Sequence, residues 1–139
     1  MSIEQKRDQL VDELIPFEDP FERFAYVIDR AKAVPPLDDE YKIDTFLIKG
    51  CISQLWIFPQ FKDGQCHYQA DSDAAITKGT ASLLCELYSD ETPEAVIGLE
   101  PDFLAEVGIT QHLSPNRRNG LTSVRQQIKA YAELCLRNQ

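Results

Sequence analysis

Apolar positions along the chain change period twice, from helical to alternating and back to helical. Leu10, Val11, Leu14 and Ile15 recur at helical spacing behind Ser2 and Gln5, whose separation suits a capping box. Asp19-Pro20-Phe21-Glu22 is a second start, with Asp at the N-cap, Pro at the first helical position and Glu at the third. The predicted helix carries Phe21, Phe24, Ala25, Ile28 and Ala31 on one face and stops before Pro35-Pro36. Thr45-Phe46-Leu47-Ile48 then reads as a short strand and Gly50-Cys51 as a turn. Leu55-Trp56-Ile57-Phe58 is a second strand, ended or pushed to an edge by Pro59. Asp63-Gly64 marks a hairpin, from which Cys66-His67-Tyr68-Gln69 pairs back as a third strand. Beyond Asp71-Ser72-Asp73, Ile76, Leu83, Leu84 and Leu87 share the face of a long helix that contains Gly79. Thr92-Pro93-Glu94 opens a shorter helix, and Gly108 closes another. Leu121, Val124, Ile128, Tyr131 and Cys135, three and four residues apart, mark the last. The expected fold is a single α+β domain over residues 1–139, a three-stranded antiparallel sheet packed with helices.

Composition narrows the class. Hydrophobic residues make up 43% and charged residues 27%, an ordinary globular balance. No apolar run is long enough to span a bilayer, and the opening Met1–Asp8 is polar rather than signal-like. These features predict a cytoplasmic protein without membrane contact. The net charge of −9 disfavours nucleic acid, whose phosphates it would repel. It serves solubility first, and steering toward a basic partner second.

Candidate chemistry rests on four cysteines, Cys51, Cys66, Cys85 and Cys135. None forms a C-x-x-C pair, and with only His67 and His112 as histidines the spacing of a structural zinc site is missing. Free thiols are expected in a reducing compartment. Cys135 and Cys85 fall in helical apolar stripes and Cys66 in a strand, where cysteine is usually a small buried hydrophobe. Cys51 differs. It follows Gly50 between two predicted strands, where a thiol can reach a partner, and Lys49 beside it can favour the thiolate.

The stretch Gly50-Cys51-Ile52-Ser53-Gln54-Leu55-Trp56 resembles the G-C-x-S-Q-V-W pattern of the SufE sulfur acceptors. Asp71-Ser72-Asp73-Ala74-Ala75-Ile76-Thr77-Lys78-Gly79 is similar to that family's D-S-D-A-x-I-x-x-G. His112-Leu113-Ser114-Pro115-Asn116-Arg117-Arg118-Asn119-Gly120-Leu121 is similar to its H-L-S-P-S-R-x-N-G-L. Phe21-Glu22-Arg23-Phe24 and Pro35-Pro36-Leu37 resemble its opening helix and exit, so the likeness runs from about residue 19 onward. Departures are Ile52 at an often polar position, Asn116 for Ser, and the added charge of Arg118.

The resemblance implies a SufE/IscU-like fold and a carrier without a cofactor of its own, rather than an enzyme. Cys51 would receive a persulfide from a pyridoxal-phosphate cysteine desulfurase of SufS type, stimulate its turnover, and pass sulfur to a SufBCD-type scaffold for iron–sulfur cluster assembly. A CsdE-like pairing with a different desulfurase is the alternative, and a homodimer is open. Among supporting candidates, Gln54 either fixes the Cys51 loop or faces solvent. Asp73, with Asp71, belongs to the D-S-D motif, although the plainer role is capping the next helix. Arg117 either offers positive potential to a persulfide or anchors the last helix. His112 either contributes to the site or bridges backbone at a helix end, and Trp56 is expected in the core. Two other classes compete. A thiol enzyme pairing Cys51 with His112 or His67 needs an orienting third group, and an iron–sulfur scaffold needs several converging cysteines.

Overall fold

The computed structural model describes residues 1–49 and 53–139. Among them, six helices surround one hairpin: α1 (Ile3–Leu14), α2 (Pro20–Lys32), β1 (Leu55–Lys62), β2 (Gln65–Ser72), α3 (Ala75–Tyr88), α4 (Pro93–Gly98), α5 (Phe103–Glu106) and α6 (Pro115–Arg137). Several start signals act as their chemistry requires. Ser2 and Gln5 close a reciprocal capping box, and the Asp19 carboxylate accepts the Phe21 N–H ahead of Pro20. Thr92 and Ser114 accept the Ala95 and Arg117 N–H groups in the same way.

The expected α+β class holds, but the sheet has two strands rather than three among the described residues. Asp63 and Gly64 both take positive φ, 54° and 77°, and make the two-residue turn that sets the antiparallel register from Leu55 opposite Ser72 to Lys62 opposite Gln65. The expected strand at 45–48 shrinks to a single bridge between Leu47 and Trp56, plus one Ile48 N–H donation to the Leu55 carbonyl at 2.8 Å. Asp44–Phe46 coils into a 3₁₀ turn instead. The cause is aromatic packing: Tyr41 stacks on Phe58 with centroids 3.9 Å apart, and Phe46 meets the same ring edge-on at 5.1 Å. Pro59 does not break the ladder, because opposite it Tyr68 gives its N–H outward to Ser89 Oγ.

Leu55 and Ile57 of β1, with Cys66, Tyr68 and Ala70 of β2, turn one face of the hairpin into the core. There they meet Leu83, Leu84, Leu87 and Tyr88 of α3 and Leu121, Val124 and Ile128 of α6. Trp56 points the other way, as strand alternation demands, and is half-buried with the Lys42 ammonium 5.6 Å from its ring; it is not a core residue. The buried stripe of α2 also differs from expectation. Arg23, Val27 and Ala31 face inward, whereas Phe21 is 84% exposed. The rotation follows from docking on α3, where Val27 lies against Gly79 so closely that a Cβ there would sit 2.8 Å from Val27 Cγ1. The buried Arg125 ties α6 to α4. This side chain stacks on Tyr88 at 4.5 Å and donates to the carbonyls of Val96 and Leu99.

Candidate functional site

The segment 49–54 leaves Ile48 and enters β1, and both of its ends are fastened. On the entry side, Ile48 is buried and its N–H reaches the Leu55 carbonyl. On the exit side, the Gln54 N–H donates to Asp73 Oδ1 at 3.0 Å, and the Asp73 N–H returns a bond to the Gln54 carbonyl at 3.3 Å. Ser72 Oγ donates to the same carbonyl at 2.6 Å and accepts the Ala74 N–H. Gln54 therefore fixes its segment through its backbone, while its side chain is exposed. Cys51 itself, with Gly50 and Ile52, lies outside the described residues.

Neither aspartate caps α3. Its N-cap is Ala74, without a side-chain bond to the helix. Asp73 is drawn across to Gln54, and Asp71, on the same face of the hairpin as its cross-strand partner Trp56, is covered by the 34–42 segment and Lys78 and only 5% exposed. The Asp71 carboxylate accepts the N–H groups of Leu37 at 3.0 Å and Ser72 at 2.9 Å, and faces Lys42 Nζ at 3.2 Å and Lys78 Nζ at 3.5 Å. Burial alone would push this carboxyl up, but the Leu37 N–H, Lys42, the Ser72 N–H and Lys78 outweigh it and hold it below the usual carboxylate range. Lys78 also donates to the Val34 carbonyl, so one cluster joins the 34–42 strap, the end of β2 and the first turn of α3. The D-S-D motif advertised Asp71, and Lys78 stands within the same stretch; nothing in the sequence pointed to Lys42.

Arg117, in the first turn of α6, donates to Thr77 Oγ1 at 2.7 Å and so joins the starts of α6 and α3. That contact favours the anchoring role, with the guanidinium still at the end of α3 where Asp73 holds Gln54. His112 is exposed in the 3₁₀ turn Thr110–His112 ahead of Ser114, and Lys49 is exposed as well. The structure thus brings Gln54 and Asp73 into contact and places Arg117 on the adjacent helix turn, with His112 on the approach to α6. His67 lies elsewhere. It sits opposite Gln60, five residues along β1 from Leu55, or roughly 16 Å at about 3.3 Å per residue, with its Nδ1 2.8 Å from Asp90.

The three described cysteines are free and buried. Burial pushes the Cys66 thiol up to about 11 and the Cys85 thiol up to about 12, which starves both of thiolate near neutrality. No helix among the described residues is long and apolar enough to cross a membrane.

The sequence profile of the family described as "SufE: Fe-S metabolism associated domain" matches residues 8–132. The chain belongs to the SufE family. An uncharacterized SufE-like protein of Synechocystis sp. is 33% identical to it over 114 residues, covering 82% of this chain and 72% of that relative. Among solved structures, the solution structure of a hypothetical protein from Thermus thermophilus superimposes with a TM-score of 0.77. It covers 94% of this chain and 96% of its own, and at 22% identity the likeness is one of fold. Membership in SufE places this chain in iron–sulfur metabolism, and its G-C-x-S-Q stretch falls within the matched residues.

Proposed function

We propose that this protein is a sulfur acceptor and carrier in iron–sulfur cluster assembly, working through Cys51 and not itself an enzyme. A single observation carries the reading. Cys66, Cys85 and Cys135 are all buried, whereas Cys51 belongs to a segment whose described ends are pinned beside α3 by Ile48–Leu55 and Gln54–Asp73. A sulfur carrier needs one nucleophilic thiol held in register for a partner, with the remaining thiols out of reach.

In the proposed step the Cys51 thiolate attacks the outer sulfur of a persulfide on a cysteine desulfurase. A sulfur–sulfur bond forms to Cys51 as the bond within the desulfurase persulfide breaks, and the partner cysteine leaves as a thiolate. Sulfane sulfur moves without net oxidation, and pyridoxal phosphate stays with the desulfurase. The loaded Cys51 then donates to a SufBCD-type scaffold. The acidic surface suits association with a basic face on either partner.

The test is stimulation of desulfurase turnover. With dithiothreitol present to reduce the carried sulfane sulfur to sulfide, wild type should accelerate cysteine-dependent sulfide release by a SufS-type enzyme, and Cys51→Ser should abolish the acceleration. Full stimulation by Cys51→Ser would sink the reading, and stimulation of only a cysteine desulfurase of another type would move it to the CsdE-like pairing.

A further inference from the structure

The buried Asp71 carboxylate gathers two N–H groups and two ammonium groups from three separate segments. A buried carboxylate that gathers two ammonium groups is weak evidence for stability, since apolar packing of the same volume often does as well. What such a cluster does supply is a fixed arrangement of the segments it joins. Here those segments converge on one place. Asp71 pairs in register with Trp56, the residue after Leu55, and Trp56 in turn bridges Leu47. Lys42 spans from the Asp71 carboxylate to the Trp56 ring, and Leu37 gives its N–H to the same carboxylate. Ser72 and Asp73, the next two residues, hold Gln54. One buried side chain thus ties the strap that leads into residue 49 to the clamp that holds residue 54.

We infer that Asp71 is a positioning residue for sulfur transfer: through Lys42 and the Leu37 N–H it sets the strap against the Ser72–Asp73 clamp, and so sets how Cys51 meets its partner. Asp71 touches no reacting atom in this role. The inference rests on the carrier reading above.

Asp71→Asn keeps the side-chain shape and removes the charge that gathers both lysines. Lys42→Met leaves Asp71 and Lys78 in place and removes the ammonium that faces both the Asp71 carboxylate and the Trp56 ring. Lys6→Met is the control: it cuts a half-buried tie from α1 to the Ser89 carbonyl and Glu91, beside Cys66 at the other end of β2. For each variant we would measure the melting temperature, the Cys51 alkylation rate by peptide mass spectrometry, and the concentration that half-saturates desulfurase stimulation. Asp71→Asn and Lys42→Met should change the Cys51 alkylation rate and raise the half-saturating concentration by roughly three- to tenfold, with maximal stimulation retained. Lys6→Met should lower the melting temperature and leave both other readouts at wild type. Wild-type values for both readouts in Lys42→Met overturn the inference even if Asp71→Asn fails to fold, and equal shifts in all three variants also overturn it as mere destabilisation. If wild type never stimulates a desulfurase, the carrier reading fails instead, while the alkylation comparison still reports on positioning.

Discussion

Gly79→Ala should destabilise the protein, against the propensity scale. In a helix interior alanine is favoured over glycine by about 1 kcal/mol, so an exposed Gly in α3 would be a site for stabilisation. Gly79 is buried against α2 instead. An added Cβ would sit 2.8 Å from Val27 Cγ1 and 3.0 Å from the Val27 carbonyl oxygen, and Val27 is itself wholly buried. A side chain can rotate away, but a helical carbonyl cannot, so α2 and α3 must part slightly. Overpacking of this kind costs about 1–3 kcal/mol. With the propensity gain subtracted at the upper end of that range, the net loss is about 1–2 kcal/mol. For a chain of this size the melting temperature should fall by about 3–8 °C, at roughly 3–4 °C per kcal/mol. Calorimetry of Gly79→Ala, Val27→Ala and the double variant checks the cause. Trimming Val27 removes one of the two clashes, so Gly79→Ala should cost less in that background, by at least about 0.5 kcal/mol. An unchanged or raised melting temperature for Gly79→Ala would refute the close-approach account.

Asp73→Ala removes the acceptor of the Gln54 N–H, and amide exchange at Gln54 should quicken about fivefold for a bond worth about 1 kcal/mol; unchanged exchange would contradict the clamp. Stability should be level from neutral pH to about pH 5 and fall below it. Asp71 and the arginine-bonded Glu13 and Glu100 all have folded-state values held below normal, so their contributions are whole above the ordinary carboxylate range and are lost as pH falls through the folded values. Asp71→Asn should flatten that acid limb, and an equally steep limb would count against the cluster. At pH 7 native Cys66 and Cys85 should alkylate far more slowly than in denaturant; equal rates would contradict their burial.

The features legible in the sequence were those governed by a few adjacent residues. Ser2–Gln5, Asp19–Pro20, Thr92 and Ser114 cap or open helices locally, and Asp63-Gly64 needs only its own positive φ angles to turn the hairpin. Where a side chain answers to a distant element, local signals misled. Thr45-Phe46 has strand composition, yet Phe58 draws its neighbourhood into a 3₁₀ turn. Phe21 sits at helical spacing with Ala31, yet Gly79 admits Val27 and turns α2 so that Phe21 faces solvent. The candidate site divides in the same way. Motif spacing marked Gln54, Asp73 and Arg117, but capping logic assigned Asp73 to α3, when its true partner is the Gln54 N–H, nineteen residues earlier in the chain. Lys42, which completes the Asp71 cluster, carries no local signal at all.

The most direct test of the carrier account is intact-mass spectrometry, without reductant, after incubation with a SufS-type desulfurase and L-cysteine. The account requires a gain of one sulfur atom that maps to Cys51, disappears on treatment with dithiothreitol, and is absent from Cys51→Ser. No gain while the desulfurase turns over, or a sulfur found on Cys66, Cys85 or Cys135, would contradict it.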